Sequence, residues 1–98
     1  MSLNRFYNHY DRNGGHPSLI YARDIKNDKY KAVCFSSSPG KSRKKLKHSI
    51  NPQTANKTYV LNQPVVKSHK NFNWKKELKS CYFRKDDKKL VDSIKRKK

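Results

Sequence analysis

Apolar and polar positions alternate most clearly in two neighbouring runs. In "HPSLIYARDI", Leu19, Tyr21 and Arg23 alternate with Ile20, Ala22 and Asp24, which is the period-2 pattern of a strand. Pro17 can open such a strand because a first residue need not donate to the ladder. After the polar "KNDK", the run "YKAVCFS" sets Tyr30, Ala32 and Cys34 on one face and Lys31, Val33 and Phe35 on the other. The two runs therefore read as a β-hairpin joined by a turn. Residues 37–57 carry no sustained period, and a connection of that length in a small domain is more often functional than idle. "TYVLNQPVVKSH" reads as a further strand pair, or as one bent strand broken at Pro64. Near the end, Leu90, Val91 and Ile94 share one stripe of a helix over residues 86–96. Asp86 or Asp87 would cap its start, and Lys95, Arg96, Lys97 and Lys98 would suit the negative end of its dipole. The pattern predicts a mainly β fold with a C-terminal helix, a small antiparallel barrel or curled sheet. It divides one domain into an N-terminal segment (1–13), a β portion (14–83) that holds the basic loop 37–57, and the helix.

Composition tempers this picture and charge sharpens it. Leu, Ile, Val and Phe make up 19 of 98 residues and the formal charge is +18, a composition near the border of disorder. Six Tyr and one Trp add apolar area that this count omits. Between Asp28 and Glu77 there is no acidic residue, while twelve Lys and Arg fall inside. Such a stretch repels itself unless a polyanion screens it, and neutralising phosphates with release of counterions is the usual gain. RNA or an acidic protein is the expected partner; the plainer alternative is a solubilising surface. No segment reaches the roughly 20 apolar residues that cross a bilayer, and the N-terminus lacks the apolar region of a signal peptide, so the expectation is a cytoplasmic protein with no membrane partner. Cys34 and Cys81 form no CxxC and have no His at metal-ligand spacing, which predicts reduced, buried thiols with no metal and no cofactor.

The candidate chemistry lies where the second strand ends, in "FSSSPGKSRKKLKHSINP". Gly40-Lys41-Ser42 matches the end of a P-loop, but that loop needs a glycine where Phe35 stands, and no α/β repeat surrounds it. Ser36, Ser37 and Ser38 run into a loop bearing Lys41, Arg43, Lys44, Lys45 and Lys47. Hydroxyls and loop amides can hold a phosphate while the cations supply the field; alternatively, the serines only form the side-chain turns that end a strand. Four histidines matter because RNA cleavage by its own 2′-hydroxyl needs a base, an acid and positive charge at the phosphate, with no metal required. His16 follows the flexible Gly14-Gly15 pair and His48 sits in the basic loop, which makes them the candidate proton-transfer residues. His9 and His69 have less context.

The segments "GGHPSLIYARD", "YKAVCFSSS" and "YVLNQPVV" together resemble the MazF/PemK-like group of toxin endoribonucleases over about residues 14–66. The resemblance implies an SH3-like barrel, commonly a homodimer, that cuts single-stranded RNA without metal and is held by an acidic antitoxin. In the related type III toxins an RNA antitoxin takes that place, which a strong excess of positive charge suits. By position, the family's catalytic hydroxyl falls on Ser36, and His16 stands where the family has an arginine before the proline. Asn62 stands where some members carry an acidic residue. Two functions follow as expectations. One is a toxin-like endoribonuclease of a toxin–antitoxin system, using Ser36 with His16 or His48; the other is a non-catalytic RNA-binding module.

Overall fold

The two alternating runs form the expected hairpin. The computed structural model describes residues 5–11, 14–50, 57–79 and 81–97. Its strands are β1 (Arg5–Asp11), β2 (Gly14–Asp24), β3 (Lys29–Ser36), β4 (Arg43–Lys45), β5 (Tyr59–Leu61), β6 (Val65–Lys67) and β7 (Phe72–Glu77), with a short 3-10 turn at His69–Asn71 and a helix α1 (Lys85–Lys95). β2 and β3 pair antiparallel with Ser18 opposite Cys34 and Asp24 opposite Lys29, with a bulge between Ile20 and Ala22. In the turn between them Asp28 adopts a left-handed conformation, φ 51°, which Asp tolerates better than most side chains. Its carboxylate accepts the His69 N–H at 2.9 Å and ties the hairpin tip to the 3-10 turn.

The sheet runs β4-β5-β3-β2-β1-β7, with β6 also on β3, and β4 and β7 end it unpaired with each other, so the ladder is open. β5 and β6 are the two halves of the run broken at Pro64. β6 pairs antiparallel with Tyr30–Ala32 and β5 with Phe35–Ser36, so one interrupted strand follows β3 along its whole length.

Three expectations change. Residues 5–11 of the N-terminal segment are a strand between β2 and β7, because Phe6 has the sheet's one face to fill and Tyr7 the other. The basic loop is not all loop, since Arg43–Lys45 pairs with Tyr59–Leu61. The helix is capped by neither aspartate. Its N-cap is Arg84, with no side-chain cap bond. Residues 1–4, 12–13, 51–56, Ser80 and Lys98, covered by the same expectations, lie outside the described residues.

Both faces of the hairpin are covered, and the alternation decides how. Phe6, Leu19, Val33 and Phe35 face α1 and join Leu46, Ile50, Val60, Val91 and Ile94 in one cluster. Tyr7, Ile20, Tyr30, Ala32 and Phe72 form a second cluster on the opposite face, with Val65 and Trp74 packed against it. Each fully buried Val, Ile or Phe contributes roughly 1.5–3 kcal/mol, so a core this small depends on using both faces. Tyr21 packs under the helix with its hydroxyl buried, and burial pushes its pKa up. No helix among the described residues is long and apolar enough to cross a membrane.

Asp87 explains how a basic, weakly patterned segment is held against the helix. Its carboxylate is buried, 3 % exposed, and accepts the backbone N–H groups of Lys47 at 2.9 Å and His48 at 3.1 Å. The side chain expected to cap its own helix therefore satisfies another segment's donors. Asp86, next to it and exposed, pairs with His48 through Nε2 at 3.3 Å. Removing a buried acceptor leaves two N–H groups without it, whereas an exposed pair is worth little. Asp87→Ala is therefore expected to lower unfolding stability by about 2–4 kcal/mol, and Asp86→Ala by less than about 1 kcal/mol, measured by urea titration. Equal small losses from the two would show that the two bonds carry no structural weight.

Candidate functional site

Parity along the strands brings the candidate residues together. His16, Ser18 and Ile20 point to one face of β2, as Tyr30, Ala32, Cys34 and Ser36 do on β3, and that is the face of the Tyr7–Phe72 cluster. Toward this end of the sheet the face turns polar. His9 is directly opposite His16 in the β1–β2 pairing. The β2–β3 pairing ends at Ser18 opposite Cys34; beyond it Ser36 pairs with Tyr59 on β5 and lines the same two cavities as His16. The two imidazole rings lie 5.7 Å apart between centroids.

These two cavities differ in size and lining. The inner one, about 130 Å³, is lined by His9, His16, Cys34, Ser36, Arg43 and Lys67 among others. The outer one, about 320 Å³, opens on the other side of the strand ends and is lined by Gly15, Pro17, Ser37, Ser38, Ile50, Lys57, Thr58 and Cys81 among others. His16, Phe35 and Ser36 line both. No carboxylate lines either cavity among the described residues, while Arg43, Lys57 and Lys67 do. The electrostatics are therefore those of an anion site.

Local bonds hold the pieces in place. The Ser36 hydroxyl oxygen accepts the Ser38 N–H at 3.2 Å, so the turn expected of a strand-ending serine does form. A hydroxyl that accepts still has its own O–H to donate, and the turn fixes where that group points. Arg43 donates from Nη1 to the Ser38 carbonyl at 3.0 Å, packs its stem beside Gly40, and is paired with Leu61, another inner-cavity residue. A planar guanidinium held at one edge is suited to grip a phosphate with the other. Gly15 serves the outer rim in a different way. A Cβ there would come within 2.8 Å of the Tyr10 ring across the β1–β2 pair, so only glycine lets that ring lie against the backbone. Burial holds the Cys81 thiol above its usual pKa. The Cys34 sulfur lies 3.6 Å from Nδ1 of His9. Among the described residues no three His, Cys, Asp or Glu side chains gather as a metal ion would need.

Of the residues expected from the sequence, His16, Ser36, Ser37 and Ser38 converge on the outer cavity and Arg43 joins His16 and Ser36 at the inner one. His48 does not reach this site: it lines a separate hollow with Tyr82, Phe83 and Asp86. Lys41, Lys44 and Lys45 are exposed on the surface. Lys47 lines a third hollow with Lys85, Lys88 and Lys89. Asn62 lines neither cavity; its backbone N–H bonds Ser42 and its carbonyl accepts Lys97. Sequence reasoning missed His9, Lys57 and Lys67. The one clue to His9 was its spacing of two from Tyr7 in "RFYNHYD", a run whose mixed pattern does not read as a strand. Comparison with protein-family models, with curated proteins and with solved structures finds no match for this chain.

Proposed function

We propose that this protein is a toxin-like endoribonuclease that cuts single-stranded RNA without a metal, by attack of the 2′-hydroxyl on the adjacent phosphate. The observation that carries this reading is the shared lining: His16 and Ser36, with Phe35, line two cavities whose charged lining groups among the described residues are cations. The inner cavity suits a phosphate, with Arg43 and Lys67 balancing its charge and the Ser36 hydroxyl donating to a non-bridging oxygen. The outer, less polar cavity suits the adjoining nucleoside. His16 transfers a proton. The fold we read as an SH3-like barrel of the MazF/PemK-like kind, supported by the way β3 exchanges β6 for β5 along its length. On that reading the protein works in the cytoplasm, its chain forms homodimers, and an acidic antitoxin protein or an RNA antitoxin holds it, which the formal charge of +18 favours.

A second reading, an RNA-binding module that does not cut, is favoured by one feature. His69 and Trp74 stack at 4.9 Å with 17° between their planes, His69 is exposed, and Lys70 follows it. Stacked rings beside lysines are a platform for bases. Mixed-sequence RNA incubated with the protein in EDTA separates the two readings. Products ending in 2′,3′-cyclic phosphate support cleavage, and a shift of intact RNA supports binding alone.

Affinity for single-stranded RNA is expected to fall steeply with salt, each phosphate contact adding about −0.7 to the log–log slope. Lys44, Lys45 and Lys47 replaced together by Ala should flatten the slope and leave the fold intact, since their backbone bonds remain. A flat response in the parent protein would remove the electrostatic basis of the reading.

Ser36→Ala and His16→Ala are each expected to slow cleavage by ~10²-fold or more while RNA affinity stays within a few-fold, because both act on the chemical step. His48→Ala should cut at the parent rate. Were His48→Ala inactive and His16→Ala unaffected, the site would lie on the basic segment instead.

A further inference from the structure

His9 is the most buried of the four histidines. It is buried, 5 % exposed, yet it lines the inner cavity beside His16, Ser36, Arg43 and Lys67. Its ring is fixed from three sides: the Cys34 sulfur at 3.6 Å from Nδ1, the His16 ring at 5.7 Å and the Phe72 ring at 6.3 Å. An apolar residue would fill this end of the Tyr7–Phe72 cluster with less desolvation cost. Transfer of an RNA phosphate needs two proton-handling groups, one on each side of phosphorus, and a neighbouring pair of imidazoles in differing surroundings provides them.

We propose that His9 is the general base of the cleavage and His16 its acid, a proposal that rests on the endoribonuclease reading above. The His9 imidazole takes the 2′-hydroxyl proton as the 2′-oxygen bonds to phosphorus. The bond from phosphorus to the 5′-oxygen then breaks, and that oxygen receives a proton from the His16 imidazolium. The products are a 2′,3′-cyclic phosphate and a 5′-hydroxyl, and solvent exchange restores both rings. Burial assigns the roles. The groups facing the inner cavity are His16 from β2, Cys34 and Ser36 from β3, Arg43 from β4 and Lys67 from β6, while β7 contributes the uncharged Phe72. His9 is the deeper of the two rings and meets only the inner cavity, where on this reading the phosphate and its 2′-hydroxyl lie. His16 is less buried and opens on both cavities, where the departing strand leaves.

The test compares an RNA dinucleotide with uridine 3′-(p-nitrophenyl phosphate), whose leaving group needs no proton. In the parent protein, the rate on RNA is expected to rise and then fall with pH, and the rate on the aryl ester only to rise. His9→Gln should lose ~10²-fold on both substrates, and its aryl-ester profile should lack the parent's rise to a plateau. His16→Gln should lose far more on RNA than on the ester. A merely structural His9 would scale the rates down and keep the rise, and that result overturns the proposal. So does a parent aryl-ester profile without a rise, which needs no variant to fold. If the parent cuts neither substrate, the endoribonuclease reading itself falls and the role of His9 with it; if it cuts both while His9→Gln behaves as the parent, only the role of His9 falls.

Discussion

Everything at the strand ends depends on the register between β2 and β3. Ser18 opposite Cys34 and Leu19 opposite Val33 send Leu19, Val33 and Phe35 toward the helix and Ile20 and Ala32 toward the other cluster. A slip of one residue would exchange the faces of every side chain on a strand. On β3 that would turn Lys31 toward the Tyr7–Phe72 cluster in place of Tyr30 and Ala32. The pairing runs outward as far as Ser18 and Cys34, and just past it His16 and Ser36 line the same two cavities. Ser18 reinforces it: fully buried, it donates its hydroxyl to the Tyr7 carbonyl at 2.9 Å and pins β1 in the matching register.

The hairpin, the break at Pro64 and the final helix were legible in the sequence because each rests on a local signal: period-2 alternation, a missing N–H, an apolar stripe. β1 was not. Its pattern, "RFYNHYD", mixes Asn8 and His9 with aromatic residues that fill both faces, and two-sided burial erases the alternation that marks a half-exposed strand. β7 hides in the same way, since "FNWKKE" buries Phe72 and leaves Lys75 and Lys76 on a free edge. The aspartates were misread for another reason. A carboxylate at a helix start looks like a cap from sequence, but where it bonds is a tertiary matter, and Asp87 found donors 40 and 39 residues away.

At the site, Ser36 and His16 were found by resemblance and by their places at strand ends, and the two line the same cavities. The basic cluster was legible as charge and not as arrangement. Only Arg43 of its five cations turns into the inner cavity, while the others scatter over the surface and a separate hollow. Lys67 enters from a strand placed by its pairing with distant Tyr30, and His9 from a β1 whose mixed pattern did not read as a strand.

The Asp87 link also bears on how the molecule opens. Lys47 and His48 lie in a stretch of mostly irregular chain, which would ordinarily exchange its amide protons with solvent quickly. Their N–H groups end on a carboxylate that belongs to α1, and Leu46 and Ile50 on either side pack in the same cluster as Val91 and Ile94. Releasing those two amides requires the first turn of the helix to move. The basic segment and the C-terminal helix thus form one cooperative unit, and slow exchange at two loop amides becomes a readout of helix integrity at the far end of the sequence.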